Sequence, residues 1–472
     1  MGGQNIDICT TEGVYPHKNL IIFLAAFTSF ITAFSTSAIN VAIPSIASEF
    51  AIDAIVQNWI LMSFLLTIAV FSVPFGKISG KIGLKKFFLI GIIVFILGSI
   101  GASFAFSAYS LIFFRVVQGI ASAILNVAGF AIITEALPPK ERGKGIGLTV
   151  SSVYIGLAFA PVLGGILTQH LHWQSIFYVI IPLLFIPLII TFWKVKDEWI
   201  TCKEDSFDYI GTIVYSAGIL LFMYGFTILN ENIGIVLTVL GIALLIGFAL
   251  WELREKFPVF NVELFKNTKF SSSALAALIS YLATYAVITI LSYYFQYIKG
   301  WDPQMTGIVL IVTPALMAII APFSGKLSDK IEPQKLSAIG MGFVTVALFL
   351  LVFLEKNTPL IIIIVAMVLQ GIGYGIFSSP NMNSIMGSVP RKLTPVASAT
   401  VSTVRVIGQT MSLGMLTVIF AVVMGSVKIV QEQFSNLMIS LDIAFMISCI
   451  LCLVAVVFSL IGVKSNVKMD ST

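Results

Sequence analysis

The sequence predicts an all-α integral membrane protein with 14 transmembrane helices, arranged as two six-helix bundles with an inserted helix pair. Composition, the placement of charge and an internal repeat together predict it. Of 472 residues, 58% are hydrophobic and 10% charged, where soluble domains carry about 25% charged residues. Mean hydropathy is +1.03. Apolar runs of about twenty residues span a bilayer. Fourteen occur, at 20–43, 55–76, 87–106, 109–133, 146–168, 174–193, 209–229, 233–253, 270–296, 305–324, 335–354, 358–379, 397–423 and 437–463.

An even number of spans puts both chain ends on one side, and the basic residues say which. The N-terminus, the loops after even-numbered spans and the C-terminus hold 22 of the 27 Lys and Arg. The opposite loops hold Lys299, Lys356 and Lys428, while Arg115 and Arg405 fall inside spans. By the positive-inside rule both termini are expected in the cytoplasm. The net charge of +5 is thus a topology signal, and no nucleic-acid partner is expected. Residues 1–19 hold one Lys and two acids before a run long enough to span, so this first segment is expected to be retained.

The repeat relates the two ends of the chain. Gly76-Lys-Ile-Ser-Gly-Lys-Ile82 returns as Gly325-Lys-Leu-Ser-Asp-Lys-Ile331 at an offset of 249. Val116-Val-Gln-Gly-Ile120 returns as Val368-Leu-Gln-Gly-Ile372 at 252, and Pro138/Pro390 and Gly156/Gly408 keep that offset. Spans 1–6 and 9–14 therefore read as parallel halves, the plan in which two bundles rock about a midplane site. The divisions expected are 1–200 for the first bundle, 201–268 for spans 7 and 8 with their linkers, and 269–472 for the second bundle.

Span 5 is the most patterned. Ser152, Gly156, Ala160, Gly164 and Thr168 recur every fourth residue, with Pro161 in the middle. Small residues let helix backbones approach closely in lipid, and the proline bends the rod. The pattern suits ordinary close packing or a sliding surface between halves.

With these motifs in order the chain resembles the major facilitator superfamily, and within it the 14-helix drug:proton antiporter branch. Gly76-Lys-Ile-Ser-Gly-Lys-Ile-Gly-Leu-Lys-Lys86 is similar to the signature loop between spans 2 and 3. Arg115-Val-Val-Gln-Gly-Ile120 is similar to the span 4 motif, and Gly156-Leu-Ala-Phe-Ala-Pro-Val-Leu-Gly-Gly165 to the antiporter motif, with Ala160 where Gly is usual. Asn40-Val-Ala-Ile-Pro44, Trp173 with Phe177, Asp208-Tyr-Ile-Gly211 and Pro258-Val-Phe-Asn-Val-Glu-Leu-Phe265 add branch-level markers. Two positions depart from the pattern: Ser35 stands where the branch has an acid in span 1, and Gly80 where the signature loop has Asp, which the second copy keeps as Asp329.

The resemblance implies a secondary active transporter of the cell membrane that exports hydrophobic or amphiphilic compounds, such as drugs and toxins, by proton antiport and alternating access. Its partners would be a small hydrophobic substrate, protons and the lipid bilayer, with the chain working as a monomer. Without the acid at position 35, an uncoupled or differently coupled facilitator stands as the alternative, and a non-transporting membrane sensor on the same fold as another. The resemblance also implies a role for Arg115 in proton coupling and for a cytoplasmic latch. That latch would use Gly76 and Lys81 in the first copy, and Gly325, Asp329 and Lys330 in the second. With Gly80 in the first copy, the second is expected to be the stronger.

Residue by residue, Arg115 starts a polar stripe with Gln118, Ser122 and Asn126, expected on a cavity wall or paired to neighbouring helices. Gln370, Tyr374, Ser378 and Asn381 repeat it in span 12. Arg405 either binds an anionic group or is neutralised structurally. Asp442 is the acid that lies within a span, as a proton site or as an interfacial residue. Tyr281 and Tyr285 are candidate substrate contacts near mid-span, with packing or lipid contact as the plain reading. Tyr293, Tyr294, Phe295 and Tyr297 read as an interfacial aromatic belt. Because the spans hold almost no acid to offset a bound cation's desolvation, neutral or anionic amphiphiles are expected over dications. Ser35 is kept as a cavity candidate.

The chemistry of enzymes is not expected. The four Gly-Lys pairs are followed by Ile78, Ile82, Gly145 and Leu327, so no phosphate-binding Gly-x-x-x-x-Gly-Lys-Ser/Thr loop exists. Cys449 and Cys452 sit in an apolar run and read as small apolar residues. His170 and His172 have no metal spacing. No cofactor or metal is expected.

Overall fold

The structure is a computed structural model; it describes residues 18–200, 208–229, 231–254, 260, 262–328, 330–389 and 394–469. Among these are 14 helices long and apolar enough to cross a membrane. They are α1 Lys18–Phe50, α2 Ala54–Ile82, α3 Leu84–Ser103, α4 Ala108–Ala136, α5 Pro139–Leu171, α6 Ser175–Lys194 and α7 Tyr209–Thr227. Then come α8 Asn232–Glu252, α9 Thr268–Ile298, α10 Pro303–Leu327, α11 Pro333–Val352, α12 Leu360–Gly387, α13 Thr394–Val423 and α14 Phe434–Met469.

Side-chain caps start several of them by accepting from helix-initial amides that lack an intrahelical partner. Asp53 accepts from Val56 at 2.8 Å, Asp302 from Met305 at 2.7 Å, and Asn267 from Lys269 at 2.9 Å. Ser107 and Ser110 form a reciprocal box at the start of α4. Two helices are interrupted. In α10 the break falls at Ile311, where Pro314 has no N–H to offer the Leu310 carbonyl. In α9 the break follows Thr284, and the Ala286 amide donates instead to Ser412 Oγ of α13 at 2.9 Å. Irregular backbone at membrane depth persists where protein satisfies it.

The packing repeats. α1 lies along α5 and α2 along α4; α9 and α10 lie likewise along α13 and α12. α3 bridges α4 and α6 as α11 bridges α12 and α14. Close backbone approaches within each half obey the sequence offsets. A Cβ on Gly156 would meet Phe30 O of α1 at 2.7 Å, and one on Gly408 would meet Leu278 O of α9 at the same distance. Gly119 sits against Phe64 O of α2, and Gly371 against Thr313 O of α10. The helix pair α7–α8 stands outside this symmetry. α7 rests against both α2 and α13, with Tyr215 Oη donating to Ala69 O at 2.9 Å.

The two sets of six meet along α2–α13 and α5–α10. Six hydrogen bonds join them at the face away from the chain ends, here the far face. Thr289 Oγ1 donates to Asn40 Oδ1 at 2.8 Å, Ser292 Oγ to Asn40 O at 2.9 Å and Gln296 Nε2 to Val41 O at 2.9 Å. Tyr293 Oη reaches Asn58 and Tyr297 Oη reaches Gln57, each at 3.2 Å, and His170 pairs with Gln304 at 2.8 Å. The expected aromatic belt is thereby corrected: Tyr293, Tyr294 and Phe295 are fully buried. Tyr293 Oη bonds across to the first half, whereas Tyr294 Oη donates to Glu355 O at 2.8 Å and the Phe295 ring stacks on Trp301, both within the second; a π-helical turn occupies Tyr294–Ile298.

Candidate functional site

Between the halves, on the chain-end side of this closure, lies a cavity with about 1330 Å³ of free space including its open mouth. Its wall is drawn from both halves. Tyr281 and Tyr285 of α9 face Tyr154 of α5, and Tyr374 and Gln370 project from α12. Asn126 of α4, Asn40 of α1 and Gln409 of α13 add amides, and Thr32, Thr36 and Ser37 of α1 add hydroxyls. Leu65, Ile68, Ile288, Met317 and Met367 supply apolar surface. Arg405 lines the wall as well, and among the described residues no Asp or Glu does. Tyr281 and Tyr374 meet edge-on, with ring centroids 5.7 Å apart. Such a wall offers planar apolar surface and hydrogen-bonding groups, the combination that ligand pockets use for affinity and orientation.

Tyr374 Oη lies buried in this wall beside Ser280 and Tyr281, and Ser378 of α12 lies beside Tyr154.

Arg115 does not line the cavity. It is fully buried one layer behind, where α1, α2 and α4 meet. Its Nη1 donates to Gln118 Oε1 at 3.0 Å and to Ser35 Oγ at 3.4 Å, and its Nε to Ile60 O at 3.4 Å. The Phe64 ring, which also lines the cavity, lies 4.1 Å from the guanidinium carbon. Gln118 is fixed in turn by donating to Ser99 Oγ at 2.9 Å. Ser35 is therefore the direct neighbour of Arg115, at the position where the resembled branch carries an acid. Among the described residues no carboxylate forms an ion pair with Arg115, so dipoles and one aromatic face hold its charge.

The other candidates separate into groups. Asn126, Tyr281, Tyr285, Gln370, Tyr374 and Arg405 share the cavity wall. Ser35 and Gln118 are buried against Arg115, and Ser122 is buried about two turns further along α4. Asn381 is bound into the α9–α12 contact, donating to Ser273 O at 3.2 Å. Asp442 is remote from the cavity on α14, a half-buried residue whose Oδ1 has no partner. In α5, Gly156 and Gly164 seat the helix on α1, while Gly165 and Pro161 face α10. A Cβ on Gly165 would lie 2.3 Å from Pro303 O, and one on Gly307 would lie 2.1 Å from Pro161 O. Ala160 is fully buried. The small-residue pattern thus serves both packing within one half and contact across halves.

Of the latch residues, Asp329 lies outside the described residues. Lys330 is exposed, Gly76 has open space beside it, and Gly325 approaches Ser379 of α12. The turn between α2 and α3 is instead held by Glu198, whose carboxylate accepts from Lys85 N at 2.9 Å. Sequence reading missed Glu198, Tyr154 and Gln409. Tyr154 carried a signal, since it lies inside the patterned α5 stretch, two residues past Ser152.

A central cavity between two related helical halves, closed at one membrane face, defines a transporter rather than an enzyme. The chain belongs to the Major Facilitator Superfamily, whose family model matches residues 25–412 and again 273–469. It is 29% identical to the riboflavin transporter RibZ of Clostridioides difficile, over 96% of this chain and 99% of that one. It is 27% identical to the multidrug resistance protein Stp of Mycobacterium tuberculosis, over 81% of this chain and 72% of that one. It is 25% identical to the multidrug efflux pump LfrA of Mycolicibacterium smegmatis, over 82% and 78%. Among solved structures, a bacterial homolog of the human lysosomal transporter Spinster, inward-facing and unoccupied, superposes with a TM-score of 0.69. That match covers 97% of this chain and 99% of the other at 16% identity, and it concerns the fold.

Proposed function

We propose that this protein exports planar, amphiphilic compounds that are uncharged or anionic, across the plasma membrane and by alternating access. The single observation that carries the reading is the cavity wall: four tyrosines, four amides and Arg405 beside apolar surface, with no carboxylate among its described residues. A bound cation would find no charge there to replace its hydration, whereas a flat ring would find faces and hydrogen-bonding edges. The termini lie in the cytoplasm on the positive-inside rule, which makes the state described here inward-open, ready to load from the cytoplasm or the inner leaflet. The bundles α1–α6 and α9–α14, within the divisions 1–200 and 269–472, move about the cavity, with α7 of the 201–268 division resting along the α2–α13 seam. Multidrug exporters and a riboflavin transporter among the relatives agree with ring-shaped cargo.

Proton antiport drives export in this reading. A second reading, favoured by the contact of Arg115 with Ser35 rather than with an acid, is a carrier that is uncoupled or coupled elsewhere. The test is uptake of radiolabelled riboflavin, with a labelled hydrophobic drug as second substrate, into everted vesicles from cells lacking other exporters. Uptake above an empty-vector control, lost in Tyr374→Ala at equal abundance, supports the transport reading. Collapse of the pH gradient abolishes uptake if protons drive it and leaves it intact in the second reading. Equal uptake with and without the protein overturns both.

A further inference from the structure

We infer that Arg405 is an anion-recognition point, so that the preferred ligand is a planar aromatic ring bearing a carboxylate, sulfonate or phosphate on a short arm. The inference rests on the aromatic-cargo reading of the same cavity and deepens it.

The two intramembrane arginines are in opposite situations. Arg115 is enclosed, with its Nε and Nη1 donating to the Ile60 carbonyl, Gln118 and Ser35. Arg405 stands in the cavity wall, half-buried. Among the described residues it forms no ion pair, and no hydrogen bond holds its guanidinium. A guanidinium presents five N–H donors in a planar fork that fits carboxylate and phosphate oxygens. A charge placed at membrane depth is costly unless something compensates it. The surroundings show what form that compensation takes. Tyr154 of α5 lies beside Arg405 across the gap between the halves, and Ser378 is its neighbour on α12. Ser378 Oγ and Tyr374 Oη are buried one turn apart on α12, beside the hydroxyls of Tyr154, Ser280 and Tyr281. A ring lying against Tyr281 and Tyr374 would leave its acidic arm within reach of Arg405 and of these hydroxyls. The unpaired cation would then be satisfied by one ligand, which also bridges α5 of the first half to α12 and α13 of the second.

A matched pair of flavins tests this, since riboflavin and flavin mononucleotide share one ring and differ by a phosphate. The purified full-length protein is placed in nanodiscs of phosphatidylcholine, so that no anionic headgroup competes, and binding is read from flavin fluorescence. The expected result is that flavin mononucleotide binds about tenfold or more tightly than riboflavin, the worth of one hydrogen bond to a charged group. Arg405→Gln abolishes that preference, and Arg405→Lys retains part of it. Equal binding of the two flavins by the unsubstituted protein overturns the anion subsite and leaves the aromatic cavity standing. Binding of neither flavin overturns both. A preference that survives in Arg405→Gln, in protein whose thermal unfolding is unchanged, also overturns the assignment.

Discussion

Replacing Ser35 by Asp puts the charge argument to its hardest test. Ser35 Oγ lies 3.4 Å from Arg115 Nη1 in a fully enclosed cluster. A carboxylate built there would stand about 3 Å from the guanidinium. At an effective dielectric of about 20 the attraction is about 5 kcal/mol. Removing the carboxylate from water costs several kcal/mol. The two terms nearly cancel, so Ser35→Asp is expected to fold and to unfold thermally within a few degrees of the unsubstituted protein. Asp without Arg has no such offset: Ser35→Asp combined with Arg115→Gln should lose about 3–5 kcal/mol, the cost of a buried pair missing one partner. The functional consequence is a titratable group where none now touches Arg115. In everted vesicles, the response of substrate uptake to an imposed pH gradient should therefore be larger in Ser35→Asp than in the unsubstituted protein. Thermal unfolding of the three variants and vesicle uptake at two internal pH values provide the readouts. If Ser35→Asp is as destabilised as the double variant, Arg115 is not free to pair and the dipole-held account of it is wrong.

Gly307→Leu puts a side chain where a Cβ alone would come 2.1 Å from Pro161 O. It should insert normally yet fail to close the far face, so transport is lost while a Gln304→Cys probe gains reactivity toward an impermeant maleimide. Tyr281→Ala removes one member of the edge-on pair with Tyr374. Aromatic pairs are worth about 0.5–1.5 kcal/mol beyond burial, so flavin binding should weaken roughly 2- to 12-fold, as titration would show. Glu198→Gln leaves the Lys85 amide with a weaker acceptor at the start of α3. A loss of about 1 kcal/mol in thermal unfolding is expected, with transport retained.

Much of this architecture is written in simple periodicities. Hydropathy marks spans because a backbone in lipid must bond to itself, which leaves the helix as the way across for each apolar run. The repeat was legible because Gly119 and Gly371, like Gly156 and Gly408, occupy equivalent backbone contacts that no side chain fits. The site was only partly legible. Asn126, Gln370 and Tyr374 share the cavity because stripe and wall coincide on α4 and α12, whereas Arg115 and Asn381, on those same stripes, are turned into helix contacts. A stripe gives a face of a helix but not what covers it. The tyrosines of α9 misled for a related reason. Their depth suggests the interface, but Tyr293 and Tyr297 bond across to Asn58 and Gln57, and nothing in their own local sequence announces those partners. Glu198 is 113 residues from its partner Lys85, a contact that local pattern does not encode.

The charge preference of the cavity is the point on which the account turns. Everted vesicles holding the protein, energised to an acidic interior, would be offered xanthene dyes of one ring system in cationic and anionic forms, with riboflavin as the uncharged ring compound. The account predicts saturable uptake of the anionic and uncharged compounds, reduced by Tyr374→Ala, and little uptake of the cationic dye. Preferential uptake of the cation would contradict it, because the cavity wall would then be accepting a charge that no described residue of it can balance.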